Sequence, residues 1–120
     1  MTLEECYQKL GGDYADVAGR LPSEQFIRKF VFKFLDDKSF DLLCSSLEQE
    51  NVEDAFRAAH TIKGMCQNLG FSKLLGSVSV LTEALRGKNL AEGRRLFGAV
   101  EEDYALTVRS IREYQAELPV

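Results

Sequence analysis

The chain has 120 residues, of which 45% are hydrophobic, and a formal net charge of −4. This length and hydrophobic content predict one globular domain with a single core and exclude a disordered chain. The acidic balance argues against nucleic-acid binding, and no apolar run is long enough to span a membrane or to act as a signal peptide, so we expect a cytoplasmic protein.

Two short helices are predicted at the start of the chain, over residues 2–10 and 14–20. Thr2 and Glu5 have the spacing of a capping box at the start of the first helix. We treat residues 1–21 as an N-terminal helical extension of a single domain that covers residues 1–120. The sequence leaves open whether this extension lies across the end of a bundle or serves as a docking arm.

The remainder, residues 22–120, predicts a helical bundle. Apolar residues recur there at helical spacing in five segments, and nothing in the chain predicts a strand. The predicted helices cover residues 23–36, 40–50, 52–69, 72–86 and 90–117. Because the connections are short, successive helices should run antiparallel. We therefore predict an all-α fold, an antiparallel four-helix bundle of the last four helices with the helix over 23–36 packed on or across it.

Three polar or glycine residues mark the boundaries of the central helices. Ser39 is the expected N-cap of the helix over 40–50, and Asn51 is the expected N-cap of the next helix. Gly70 suits a left-handed stop at the end of that second helix. The segment between Asn51 and Gly70 contains the single histidine of the chain.

His60 falls outside the apolar arc of its predicted helix. At about 100° per residue, the arc that should face the core contains Val52, Ala55, Phe56, Ala59, Ile62, Cys66 and Leu69. His60 lies on a flank that should face water, and Lys63, Gly64 and Gln67 share this flank. Gly64 disfavours a helix, which makes sense if a partner must approach closely at this position.

These positions predict phosphoryl chemistry. A neutral imidazole is a competent nucleophile, and its attack on a phosphoryl group would give a phosphohistidine. Lys63, one turn beyond His60, can bring its ammonium group to the attached phosphate and offset its negative charge. Gln67 could donate a hydrogen bond to the phosphate or to a partner.

The segment resembles the histidine-containing phosphotransfer (HPt) domain. The resemblance rests on the run from His60 to Gly64, HTIKG, followed by Asn68-Leu69-Gly70. Phe56-Arg57-Ala58-Ala59 before this run, and Phe71 after it, look most like the N-terminal phosphotransfer domain of chemotaxis histidine kinases. In helix layout the resemblance covers most of residues 23–117.

The resemblance implies a phosphorelay intermediate of two-component signalling. His60 would accept a phosphoryl group and exchange it with an aspartate of a response-regulator receiver domain, with a hybrid sensor histidine kinase as the other partner. The chain would need no cofactor, because the magnesium ion is expected on the receiver. No nucleotide-binding motif is present, so no ATP-dependent kinase activity of its own is expected. A monomer is expected.

The residue that would orient the His60 ring is not obvious from the sequence. Some HPt-like domains place a Glu or Gln on the following helix, facing the imidazole. In an ungapped reading Thr82 takes that position here, with Glu83 next to it. Either Thr82 or Glu83 orients the ring, or neither does.

Two other readings remain open. If the sequence is part of a longer chain, it is the substrate domain of a chemotaxis-type kinase rather than a free-standing carrier. Alternatively, it is a helical interaction module in which His60 is never phosphorylated. A metal or cofactor bundle is disfavoured, because the chain has one histidine, no Glu-x-x-His pair and three cysteines without CxxC spacing.

Overall fold

The computed structural model describes residues 1–119 and contains seven helices. In chain order they are α1 (Leu3–Leu10), α2 (Tyr14–Arg20), α3 (Glu24–Asp36), α4 (Ser39–Glu48), α5 (Val52–Leu69), α6 (Ser72–Arg86) and α7 (Leu90–Glu117). Residues 1–119 contain no strand. The predicted all-α class is therefore confirmed.

Side-chain caps explain why most helices begin and end where the sequence predicts. Thr2 and Glu5 form the complete capping box at the start of α1. Asn51 Oδ1 accepts a hydrogen bond from the Asp54 backbone N–H at 3.0 Å and so fixes the start of α5. Gly70 ends the same helix in the left-handed region, at φ 67° and ψ 31°.

Helix α4 departs from the prediction at both ends. Ser39 is the first helical residue rather than the cap, because the Asp37 carboxylate accepts the Ser39 backbone N–H at 2.8 Å. At the other end the helix stops at Glu48, and Glu50 adopts a left-handed φ of 58°. The short turn before Asn51 therefore takes two residues that were predicted to be helical.

Helices α4 to α7 form the predicted antiparallel bundle. Each packs chiefly against its neighbours in the chain, across connections of two or three residues. Helix α7, with 28 residues, is about 42 Å long at 1.5 Å per residue, and the molecule is 43 Å along its longest axis. One helix therefore spans the whole length of the molecule.

Helix α3 packs on this bundle against both α5 and α7. The Phe34 ring meets Phe71, which precedes α6, edge-to-face at a centroid distance of 5.2 Å. Phe32 lies 5.9 Å from Tyr114 of α7 and is half-buried. Helix α3 therefore covers one side of the bundle, as predicted.

The N-terminal helices lie across the end of the bundle where α5 turns into α6. The Asp13 N–H donates to the Gly70 carbonyl at 2.8 Å, and the Lys73 N–H donates to the Gly11 carbonyl at 3.0 Å. The buried Tyr7 hydroxyl donates to the Leu69 carbonyl at 2.7 Å. Both backbone and side-chain hydrogen bonds thus connect this extension to the last turn of the histidine helix.

Within residues 1–119, no helix combines the length and the apolar character needed to cross a membrane.

Candidate functional site

His60 lies on the exposed face of α5. The opposite face of the helix is buried and consists of Ala55, Ala58, Ala59, Ile62, Cys66 and Leu69. These small and aliphatic side chains face the bundle core and fix the rotation of the helix about its axis. The imidazole therefore projects into solvent without any contribution to the core.

Lys63 and Gln67 accompany His60 on this face. Lys63 is half-buried one turn further on, and Gln67 is exposed in the turn after that. The salt bridges among residues 1–119 do not include the Lys63 ammonium group. Lys63 can therefore direct its charge to a group bound at His60 without first breaking an ion pair.

Gly64 has no side chain, so the backbone of α5 is uncovered beside His60. A Cβ atom built on Gly64 would meet no heavy atom within 4 Å. The glycine is therefore not required by packing inside this domain, in contrast to Gly93, where a Cβ would come within 2.8 Å of the Leu85 side chain. The space above Gly64 is open to an approaching molecule.

The structure corrects the expectation for Thr82. This residue is fully buried, and its hydroxyl donates to the Val78 carbonyl of its own helix at 2.6 Å. It therefore neither orients the imidazole nor reaches a phosphate at the surface. The buried position follows from the spacing of Val78, Thr82 and Leu85, which all lie on the core face of α6.

Glu83 is exposed on α6, but its carboxylate accepts from Arg86 Nε, with the closer oxygen at 3.2 Å. The hydrogen bonds among residues 1–119 include none to the His60 ring. The structure thus brings His60, Lys63, Gly64 and Gln67 onto one face of α5, whereas Glu83 is engaged with another residue of α6.

Phe56 and Arg86 join the site, and the sequence did not reveal their part in it. Phe56 was predicted to face the core, yet it is half-buried and stacks on His60 with a centroid distance of 5.6 Å and an interplanar angle of 18°. The Arg86 guanidinium carbon lies 4.8 Å from the centroid of the Phe56 ring. The i, i+4 spacing of Phe56 and His60 is a signal that could have identified the first contact. The contact between Phe56 and Arg86 joins α5 and α6, so no spacing within one helix could have predicted it.

The C-terminal end of α5 is held from α2. Arg20 donates to the carbonyls of Gln67 and Asn68 at 3.2 and 3.1 Å. A cation at this end of a helix binds carbonyls that have no partner within the helix and interacts favourably with the helix dipole. The C-terminal end of the histidine helix α5 is therefore fixed by hydrogen bonds from α2.

An apolar groove of about 340 Å³ opens between α3 and α5. Met65 and Asn68 of α5 form one wall, and Phe26 and Phe30 belong to the other. The groove borders the exposed face of α5 on the side away from α6.

These features suit transfer of a group between two proteins. The His60 imidazole is exposed, and the Lys63 ammonium group one turn away makes no salt bridge among residues 1–119. The open Cβ position of Gly64 permits close contact. Residues 1–119 contain no cluster of three or more His, Cys, Asp or Glu side chains that could hold a metal ion.

A family model described as the Hpt domain matches residues 36–110, which is more than half of the chain and includes the whole exposed face around His60. No curated protein and no solved structure matches the chain significantly.

Proposed function

The chain belongs to the Hpt domain family, whose members carry out histidine phosphotransfer in two-component signalling, and from this premise we propose that His60 is the phosphoryl acceptor. In this proposal His60 exchanges its phosphoryl group with an aspartate of a response-regulator receiver domain. The protein acts as a phosphorelay intermediate in the cytoplasm and has no ATP-dependent kinase activity of its own.

The observation that carries this proposal is the surface around the only histidine of the chain. His60 is exposed, Lys63 lies one turn away without an ion pair among residues 1–119, and the Cβ position of Gly64 is unobstructed. All three lie within the segment that matches the family. A helical module that only binds a partner has no need for this combination.

The reaction is a transfer between two nucleophiles. A ring nitrogen of His60 attacks the phosphorus of the aspartyl phosphate, a nitrogen–phosphorus bond forms, and the bond from phosphorus to the aspartate oxygen breaks. The aspartate leaves as a carboxylate, and the reverse reaction restores the acyl phosphate. Catalysis of this step depends mainly on alignment and charge neutralisation.

The two proteins divide this work between them. The receiver supplies the magnesium ion and its acidic residues, so this chain needs no cofactor. Lys63 offsets the charge of the phosphoryl group, Gly64 allows the receiver backbone to approach, and Gln67 offers a hydrogen bond at the edge of the contact. Residues 1–21 and 22–120 act as one domain, and the protein works as a monomer with receivers and a hybrid sensor kinase as partners.

A transfer assay tests the proposal. The purified chain and a His60→Gln variant are mixed with phosphorylated receiver domains and magnesium, and protein-bound phosphate is followed with time. We expect label on the wild type and none on the variant. Label obtained only from ATP and a kinase core would instead indicate the substrate domain of a chemotaxis-type kinase. Binding without label from either source would indicate an interaction module and contradict the proposal.

A further inference from the structure

The His60 ring has no hydrogen-bond partner among residues 1–119, although the C-terminal end of its helix is hydrogen-bonded by Arg20. Thr82 is buried and donates to Val78, and Glu83 is engaged with Arg86. An exposed imidazole without any contact would rotate freely and would present its nitrogens to a phosphoryl donor in many directions. Some other contact must restrict the ring if transfer depends on alignment.

Phe56 makes such a contact, because its ring stacks on the His60 ring. Its ring lies one helical turn before His60, and the two rings are nearly parallel, at 18°, with centroids 5.6 Å apart. This is the range in which offset-stacked aromatic rings attract one another. Phe56 is itself half-buried, so its motion is more restricted than that of a fully exposed side chain.

Arg86 connects Phe56 to the next helix. Its guanidinium carbon lies 4.8 Å from the centroid of the Phe56 ring, within the range of a cation–π contact. Glu83 holds the Arg86 side chain through hydrogen bonds to Nε at 3.2 and 3.3 Å. The stack on His60 is thereby linked to α6, which packs extensively against α5.

A stack restricts an imidazole differently from a hydrogen bond. A hydrogen bond occupies one ring nitrogen and selects a tautomer, whereas a stack contacts the face of the ring. The lone pair of the unprotonated nitrogen lies in the plane of the ring and remains available to a phosphoryl donor. The stack therefore restricts the His60 ring without engaging either of its nitrogens.

We propose that Phe56, supported by Arg86, is the positioning residue for the His60 imidazole and takes the place of an orienting hydrogen bond from α6. This inference rests on the proposed role of His60 as the phosphoryl acceptor. It concerns the orientation of the ring and therefore applies to any phosphoryl donor, whether protein or small molecule.

The test uses phosphoramidate, a small donor that requires no receiver. A His60 nitrogen bonds to phosphorus, the phosphorus–nitrogen bond of phosphoramidate breaks, and ammonia leaves with the proton released by the imidazole. The full chain is compared with Phe56→Leu, Phe56→Tyr and Arg86→Gln. Phe26→Leu is the matched control, because Phe26 is an exposed phenylalanine on α3 whose ring contacts the Phe30 ring at a tilt of 48°. The ring protons of His60 are followed by NMR in each protein.

We expect Phe56→Leu to slow phosphorylation about three- to tenfold and to remove the ring-current shift of the His60 protons. Phe56→Tyr should restore the rate to within about twofold, and Phe26→Leu should match the wild type. Arg86→Gln should reduce both the rate and the ring-current shift by a smaller amount. If Phe56→Leu fails to fold, this variant tests the positioning role in its place.

An unchanged rate and unchanged His60 signals in Phe56→Leu, or in Arg86→Gln where the first variant does not fold, would overturn the inference. The outcome is separate from that of the proposed function. A wild-type chain that reacts with phosphoramidate but with no receiver would contradict the relay and leave the positioning role standing.

Discussion

At the scale of single residues, the site consists of side chains that contribute little to the fold. His60 and Gln67 are exposed, Lys63 makes no salt bridge among residues 1–119, and the Cβ position of Gly64 is open. Substitutions at such positions should change phosphotransfer much more than stability. This separation distinguishes a functional surface from a structural one.

Lys63→Ala should slow transfer from a phosphorylated receiver about three- to tenfold, since one nearby positive charge is lost from an exposed site. Stopped-flow or quench measurements of the transfer rate give this value. Lys63→Arg, which keeps the charge, should stay within about twofold of the wild type. The deficit of Lys63→Ala should also shrink at high salt. Wild-type rates in Lys63→Ala would identify Lys63 as an ordinary surface lysine.

Gly64 should show opposite effects on stability and on transfer. Gly64→Gln replaces a poor helix former without a clash, so the free energy of unfolding should rise by about 0.5–1 kcal/mol. The longer side chain should nevertheless weaken transfer from a receiver at least about tenfold, because it occupies the space of the approaching partner. Urea denaturation and the transfer assay measure the two effects.

Gly98→Gln provides the control for this experiment. Gly98 lies on α7, and its Cβ position is also unobstructed within 4 Å. This variant should gain similar stability and keep the wild-type transfer rate. If Gly64→Gln transfers as fast as Gly98→Gln, close approach at Gly64 is not required.

At the scale of elements, the N-terminal helices hold the end of α5 in place. Tyr7 is buried and donates to Leu69, and Arg20 donates to Gln67 and Asn68. The exposed face of α5 is thus fixed by an element outside the segment that matches the family, which begins at residue 36. The extension has a structural role, in the sense that it completes the hydrogen bonding of the histidine helix.

Tyr7→Phe should lower the free energy of unfolding by about 1–2 kcal/mol, because the buried Leu69 carbonyl loses its hydroxyl donor. Tyr14→Phe is the matched control. The Tyr14 ring packs on Tyr7, but its hydroxyl has no hydrogen bond among residues 1–119, so a change within about 0.5 kcal/mol is expected. Chemical denaturation measures both. Equal losses in the two variants would show that the hydroxyl of Tyr7 contributes nothing specific.

The sequence predicted the helices well because their signals are local. Asn51 and Gly70 determine the ends of α5 through contacts within a few residues, and both are confirmed. The prediction of Ser39 as the cap is wrong, because Ser39 donates its own backbone N–H to the Asp37 carboxylate and is already the first helical residue. A pattern of residue types does not decide whether a serine near a helix start is the cap or the first residue of the helix.

The positions of the site residues within α5 could be predicted from the sequence, whereas the contacts between α5 and α6 could not. The position of His60 follows from helical periodicity alone. The burial of Thr82 depends on the rotation of α6, and the contact of Phe56 with Arg86 depends on how α5 and α6 are aligned. The bond between Tyr7 and Leu69 joins residues far apart in the chain. Such contacts are set by packing, which a single sequence does not encode position by position.

At the scale of the whole molecule, the core contains two thiols that resist ionisation. Burial raises the pKa of Cys66 to about 12, and burial raises the pKa of Cys6 to about 11, from an ordinary value of 9.0. The folded state therefore keeps these protons at pH values where the unfolded chain releases them. Stability should be complete below about pH 9 and should decline as the pH rises toward 11.

Urea denaturation under reducing conditions, at several pH values between 7 and 10, tests this expectation. The midpoint should fall on the alkaline side, and Cys66→Ala should be less stable at neutral pH with a shallower alkaline decline. An alkaline decline that is equally steep in Cys66→Ala and the wild type would show that ionisation of this thiol does not contribute.

The most direct test of the account is the location of the phosphate after reaction with a phosphorylated receiver. The chain is digested at neutral to alkaline pH, and the modified residue is identified by mass spectrometry, beside a His60→Gln variant whose helix content is checked by circular dichroism. The account predicts acid-labile, base-stable phosphate on His60 alone and a folded variant that carries none. Phosphate on another residue, or label that persists in His60→Gln, would contradict it.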